Sequence, residues 1–339
     1  MNLDLNKFMQ VAIDHAKLAT KTHPNPKVGA LFVDEQNNIF KANHQEYGKE
    51  HAEINLINIL KKNKVSPKSG TLFVTLEPCA HHGKTPPCVE ALIKFGFTKV
   101  IIGSQDPNPL TNGKSIQLLK ENSIDVTSNI LEQECFQLNR NWMITQEQSY
   151  SYIILKMAVS KNFKWTNDNA TDRFITNEQS RITGNQLRSA ADGVLTTFKS
   201  VQQDNAKMTA RNNLNELNNI QPKLFLASKN IHELKNLNIN NYPEKVTQIK
   251  IDDFNLFFKE CLAKKLINIL VEAGPSFSEK IFNTGLVNEI QLFQSKDFIK
   301  SGKSCYNFDL ERINKNFNCV QTKKINTDEN LVFFNKKNL

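Results

Sequence analysis

Residues 75–88 read Thr75-Leu76-Glu77-Pro78-Cys79-Ala80-His81-His82-Gly83-Lys84-Thr85-Pro86-Pro87-Cys88, and upstream of them stands His51-Ala52-Glu53. Zinc takes about four tetrahedral ligands, and a catalytic site leaves one position for water. His51, Cys79 and Cys88 supply three ligands, two of them thiolates, and water completes the set. Glu53 lies two residues past His51 at a helix start, placed to reach that water rather than the metal. It can take the water's proton and return it to a leaving ammonia. Taken singly, two cysteines and a histidine are ordinary core residues. The combined spacing, with Pro78 before Cys79, favours a metal site. Cys135, Cys261, Cys305 and Cys319 lack such context and read as structural.

Around this stretch, apolar spacing predicts a helix over Phe8–Thr20, a strand over Val28–Val33, and a helix over Ala52–Leu60. A strand over Thr71–Leu76, a helix over Pro87–Phe95 closed by Gly96, and a strand over Lys99–Gly103 follow. Such alternation argues for a layered α/β domain. The ligand pattern matches the His-x-Glu and Pro-Cys-x-x-Cys signature of zinc deaminases, except that eight residues, Ala80 to Pro87, separate the cysteines.

A chain of 339 residues suggests two domains. Cut near residue 146, the first part carries 16 Lys+Arg against 14 Asp+Glu and the second 27 against 20. Six of seven histidines fall in the first part, so polar site chemistry is concentrated there. Thr145 to Ser151 reads as a short polar linker, giving domains 1–146 and 147–339. Net charge is +9, which favours anionic partners such as phosphates, nucleotides or nucleic acid. Of 43 asparagines, 28 lie in the second part, a bias that makes its charge weak evidence. No apolar run approaches a membrane span, and Met1 to Asn6 lacks the basic start of a signal peptide. Six cysteines are too few for a disulfide scaffold, so a reducing, cytoplasmic setting is expected.

The motifs quoted, together with Thr22-His23-Pro24-Asn25-Pro26, Val28-Gly29 and Gln105-Asp106-Pro107-Asn108-Pro109, resemble the riboflavin-biosynthesis pyrimidine deaminases. That family joins a cytidine-deaminase-like domain to a dihydrofolate-reductase-like one, and the eight-residue cysteine separation is its mark. The resemblance implies hydrolysis of the 2-amino group of 2,5-diamino-6-(5-phosphoribosylamino)pyrimidin-4(3H)-one. Asn25, on a rigid Pro-flanked turn, would meet the ring, with simple turn-making as its alternative role. His44, His81, Lys84 and Thr85 would engage the ribose phosphate, Lys84 as a point charge. Asp106 and Asn108 resemble further substrate contacts, an ordinary Asp-Pro-Asn-Pro turn being the alternative. His82 stays unassigned.

In the second part, Tyr152–Ala158, Gly193–Thr197, Leu224–Ala227, Leu266–Val271 and Val287–Phe293 read as strands, with a short helix after Pro275. Lys156 to Ser160 resembles the opening strand of the fused reductase, which would use NADPH to reduce the ribosyl side chain to ribityl. The family's Leu-Asp-Gly turn is replaced by Lys161-Asn162-Phe163, and its Asp-Asp-Pro-x-Leu-Thr-x-Arg by Asp204-Asn205-Ala206-Lys207-Met208-Thr209-Ala210-Arg211. The resemblance assigns Arg188, Met208, Arg211 and Glu272 to the substrate. It assigns Ala158, Phe174, Ser200, Asp204 and Gly274 to the cofactor, Gly274 because a glycine after a strand admits a pyrophosphate. Five glycines in 147–339 are sparse for such a domain. Two readings therefore stand, an active reductase and an impaired scaffold; retention of Lys156, Ser160, Arg188, Asp204, Arg211 and Glu272 favours the first. A nucleic-acid deaminase fits less well, because the basic residues form no stripe interleaved with aromatics. The family resemblance also implies a homo-oligomer.

Overall fold

The computed structural model describes residues 3–81, 86–166, 168, 174–212, 214–304 and 309–338. The chain divides into two compact units, Met1–Gln148 and Ser149–Leu339.

The first unit runs α1 (Leu5–Lys17), β1 (Gly29–Asp34), β2 (Ile39–Asn43), α2 (Ala52–Lys62), β3 (Gly70–Leu76), α3 (Cys88–Phe95), β4 (Lys99–Ser104), α4 (Lys114–Glu121), β5 (Asp125–Thr127), α5 (Glu132–Leu138) and α6 (Arg140–Gln148). Its sheet has the order β2-β1-β3-β4-β5. The pairings β2–β1 and β1–β3 are antiparallel, while β3, β4 and β5 are parallel. Every residue of β1 is buried, and the strand's alternation feeds two cores. Ala30 and Phe32 pack with Leu56, Leu60, Val89 and Leu92 from α2 and α3. Leu31 and Val33 pack with Met9, Ala12 and Ile13 of α1 and Cys135 of α5. Three layers, α/β/α, result. Gly29 is required by the close approach of α1, since a Cβ there would lie 2.2 Å from the Ala12 carbonyl oxygen.

Predicted and observed elements differ mainly at helices. The first helix begins a turn earlier, capped by Asp4, whose side chain accepts from Lys7 N–H. The stretch read as a linker is helical through Gln148, because Met143, Ile144 and Thr145 turn inward and are buried. Strand β2 carries only two buried residues, Ala42 and Asn43, so its apolar signal is too weak to read in sequence.

The second unit runs β6 (Tyr152–Val159), α7 (Glu178–Ala190), β7 (Gly193–Thr197), α8 (Phe198–Asp204), β8 (Lys223–Ala227), β9 (Val246–Ile249), α9 (Phe254–Ala263), β10 (Asn268–Val271), α10 (Pro275–Asn283), β11 (Glu289–Gln294), α11 (Leu310–Asn316), β12 (Phe317–Ile325) and β13 (Asp328–Asn335). Its eight-stranded sheet has the order β12-β13-β11-β6-β10-β7-β8-β9. From β11 to β9 all neighbours are parallel, and β13 and β12 complete one side antiparallel. One core joins Ile153, Leu155, Met157, Leu195, Ile269, Val271, Ile290 and Leu292 to Phe258, Ile281, Phe282 and Ile313 of α9, α10 and α11. Most of β12 is exposed, so it exists through its ladder to β13 rather than through apolar burial, and sequence periodicity does not reveal it.

The substituted stretch after β6 forms a tight turn. Phe163 holds φ 57°, the left-handed conformation that favours glycine. Its N–H donates to Ser160 O, and Ser160 Oγ accepts from Lys164 N–H. Packing of Phe163 on the main core offsets the backbone strain.

Candidate functional site

Two helix starts and one loop build the site of the first unit. His51 is the N-cap of α2, and its side chain makes no capping hydrogen bond. Cys88 opens α3 behind Pro87, another N-cap without a side-chain bond. Cys79 lies in the loop after β3. Both caps thus give up the usual capping side chain. His51 Nδ1 lies 3.2 Å from Cys88 Sγ and 3.8 Å from Cys79 Sγ. Tetrahedral Zn–N and Zn–S bonds would set N and S roughly 3.6 Å apart. The three ligand atoms all fall within 4.8 Å of one another, and the donor set fits zinc.

Electrostatics favour thiolate at this place. Cys79 Sγ accepts from Cys88 N–H at 3.2 Å, and His51 bonds it as well. The Cys88 side chain above all, then the His51 and Cys88 N–H bonds, draw the Cys79 thiol well below its ordinary range against the cost of burial. The start of a helix also favours negative charge. Glu53, in the first turn of α2, is only 4 % exposed. Burial pushes its carboxyl up to about 7, against the pull of His51.

Around the centre, Asn25 Nδ2 meets His44 Nε2 at 3.2 Å, and the His44 ring stands edge-on to His51 with centroids 5.4 Å apart. His44 is 2 % exposed. His81 Nδ1 lies 3.2 Å from Thr111 Oγ1. Asp106 is buried; its Oδ1 accepts from Asn108 N–H, and Asn108 Oδ1 accepts from Leu110 N–H. Both side chains shape their own turn. Burial, with the nearby Glu77 and Cys79 charges, pushes the Asp106 carboxyl up to about 6. Lys84 and Thr85 lie outside the described residues, as does His82.

Glu77 is the residue that motif reading passed over. Its buried carboxylate accepts from the backbone N–H groups of Asp106, Gly113, Ser115 and Ile116. It thereby ties the loop of Cys79 to the Asp106 turn and to the start of α4. The available signal was a charged residue placed directly after a strand that is buried almost throughout.

In the second unit Glu272 with Arg188, and Gly274 with Ser200, meet just past the end of β10, where open α/β sheets usually bind ligands. Glu272 directly follows β10. Its carboxylate takes two bonds from Arg188, Nε at 2.7 Å and Nη2 at 2.9 Å, and one from Lys156 Nζ at 3.0 Å. Side-chain exposures are 15 % for Arg188, 17 % for Lys156 and 18 % for Glu272. Even against the cost of burial, the two cations hold the Glu272 carboxyl far below the usual range. The fork of Arg188, expected at a substrate phosphate, is committed to Glu272, and its Nη1 to Asn185 and the Thr209 carbonyl. Lys156 was noted in sequence but given no place in the site; a lysine inside a buried strand was the signal.

Gly274 N–H donates to Ser200 Oγ at 3.0 Å, which joins the loop after β10 to α8. Ala158 sits near the end of β6. Phe174 is half exposed, with the Arg181 guanidinium 4.2 Å from its ring centroid. Asp204 ends α8 on the surface. Met208 is buried with φ 57°, a strained backbone of the kind that clusters at ligand sites. Arg211 Nη1 donates to the Asn215 carbonyl and its Nε to Thr209 Oγ1.

Comparison with known proteins agrees with both units. Residues 3–104 match the cytidine and deoxycytidylate deaminase zinc-binding region, and residues 151–329 match the RibD C-terminal domain. The riboflavin biosynthesis protein RibD of Aquifex aeolicus is 30 % identical over 97 % of this chain and 98 % of its own length. That of Escherichia coli is 30 % identical over 80 % of this chain and 82 % of its own. Among solved structures, RibD of Acinetobacter baumannii superposes with a TM-score of 0.82 at 26 % identity, covering 98 % of this chain and 99 % of that one. A deaminase/reductase of Thermotoga maritima gives 0.81 at 25 % identity, with 98 % of each chain covered.

Proposed function

The chain belongs to the RibD family of bifunctional deaminase/reductases of riboflavin biosynthesis, and from that premise we propose how its residues divide the work. The protein is a zinc-dependent pyrimidine deaminase joined to an NADPH-dependent reductase with a dihydrofolate-reductase-like fold. It hydrolyses the 2-amino group of 2,5-diamino-6-(5-phosphoribosylamino)pyrimidin-4(3H)-one and then reduces the ribosyl side chain to ribityl. The deaminase role falls to 1–146 and the reductase role to 147–339.

His51, Cys79 and Cys88 would hold the zinc, which when bound would supply an activated water for attack on the carbon that carries the amino group. Glu53 takes the proton from that water and hands it to the departing ammonia. Its burial beside the ligands suits it to hold a proton between the two events. Asn25 meets the ring, Asp106 and Asn108 shape the loop against it, and His81, Lys84 and Thr85 serve the ribose phosphate. The observation that carries this reading is the convergence of His51 Nδ1 on both sulfurs at 3.2 and 3.8 Å, with Glu53 buried alongside.

The second unit would hold NADPH, which when bound would supply the hydride for reduction of the ring-opened ribosyl side chain at C1. The family resemblance assigns Ala158, Phe174, Ser200, Asp204 and Gly274 to the cofactor, with the Gly274 N–H and Ser200 Oγ already joined in a hydrogen bond. Glu272, held ionised by Lys156 and Arg188, presents a fixed anion to the sugar hydroxyls. Met208 and Arg211 complete the substrate side. The partner is thus a small phosphorylated pyrimidine, with no nucleic acid or membrane invoked; no helix of the described residues is long and apolar enough to cross a membrane. We take the setting as cytoplasmic and the working form as a homo-oligomer, from the family.

The test is a coupled assay on purified, zinc-loaded protein. Ammonia release followed by NADPH oxidation is expected. Absence of ammonia release overturns the deaminase assignment, and deamination without NADPH oxidation reduces the second unit to a scaffold.

A further inference from the structure

Resting on the reading of Asn25 as the residue that meets the pyrimidine ring, we propose that His44 is a positioning residue, which locks the Asn25 side-chain amide so that its carbonyl oxygen is the end left for substrate. His44 Nδ1 lies 3.0 Å from the Glu50 carbonyl oxygen. A carbonyl only accepts, so Nδ1 carries the proton, and the neutral ring presents a lone pair at Nε2. Asn25 Nδ2, 3.2 Å away, must then donate to it. An amide has one nitrogen and one oxygen; with the nitrogen turned to His44, Oδ1 faces the other way.

Both partners are fixed from behind. His44 N–H donates to Val28 O, its ring abuts His51, and the Asn25 N–H donates to Thr22 O. The Glu50 carbonyl is shared with Asn55 Nδ2, which sets its direction. With 2 % exposure and both ring nitrogens engaged, His44 has no donor to offer the ribose phosphate expected of it from sequence.

An outward carbonyl oxygen suits a pyrimidine that offers N–H groups, the ring N3–H and the 2-amino group of a 2-aminopyrimidin-4(3H)-one. A flipped amide would set N–H against N–H and leave donors unpaired in a dry site. His44 therefore acts as a specificity device one residue removed from the ring.

Three substitutions in the full-length, zinc-loaded chain separate positioning from phosphate binding. A glutamine's terminal amide spans O–C–N as the imidazole spans N–C–N, so His44→Gln can donate to Glu50 O and accept from Asn25. His44→Lys offers only donors. Deaminase kcat is expected to fall roughly 10- to 100-fold in His44→Ala and His44→Lys, and His44→Gln should recover most of that loss. The loss should be equal with the phosphorylated substrate and its dephosphorylated form, and nitrogen NMR should show the His44 proton on Nδ1. Rescue by His44→Lys, or a loss confined to the phosphorylated substrate, overturns the proposal in favour of phosphate contact. An Nε2–H tautomer also overturns it. Undiminished turnover in Asn25→Ala instead removes the underlying reading of Asn25.

Discussion

Replacing Glu272 by glutamine tests whether the reductase half is built around a buried anion. In the parent, one carboxylate faces Arg188 at 2.7 Å and Lys156 at 3.0 Å, all three less than a fifth exposed. At ~3 Å and an effective dielectric near 20, each contact is worth about 5 kcal/mol before the cost of desolvation. Glutamine keeps the volume but removes the charge, and two buried cations are left facing each other. Breaking such a network costs about 3–5 kcal/mol. For a unit of this size that is a fall of about 6–20 °C in Tm. Trp165 lies in this unit and Trp142 in the other. In a Trp142→Phe background, urea unfolding followed by Trp165 fluorescence therefore reads the second unit. The carboxyl's folded-state pKa is lowered, so its contribution is present above the unfolded value and lost as the pH falls. The gap between parent and variant should hold from neutrality to about pH 5, begin to narrow at roughly 4.3 and shrink progressively as the pH falls further toward the lowered folded-state value. A change under about 1 kcal/mol at pH 7, or a gap that widens on acidification, would refute the reasoning.

Glu53→Gln should keep stoichiometric zinc while lowering ammonia release by about 10²–10⁴-fold, with NADPH oxidation on pre-deaminated substrate unaffected. Stripping zinc with a chelator should abolish deamination and lower the Tm of the first unit alone, both restored by zinc, because its ligands come from three separate segments. Lys64 holds φ 56° on the surface just past α2, so Lys64→Gly should raise the stability of the first unit by up to about 1 kcal/mol in thermal unfolding; a drop would contradict the strain.

Much of the first unit was legible because β1, β3 and β4 are buried on both faces. Val28–Val33 and Thr71–Leu76 stand out as runs bounded by turns; the observed β1 is shifted by one residue at both ends and β3 starts one residue earlier. The helices α4, α5 and α6 escaped because their buried faces are narrow, as with Ser115 and Leu119 alone in α4. Beyond residue 300 the polar strand β12 gave no period to read, since its partner β13 supplies the hydrogen bonds.

The linear chain determined which chemistry is present. His51, Glu53, Cys79 and Cys88 are decided by residue type and spacing, because metal ligation and proton transfer need those atoms and few others. Tertiary structure alone decided how neighbouring side chains are spent. Arg188 turned to Glu272 across 84 positions of sequence, Glu77 bound the backbone of α4, and His44 closed on Asn25 and Glu50. A buried polar atom must find a partner wherever the fold brings one, and that partner is set by packing rather than by any local pattern.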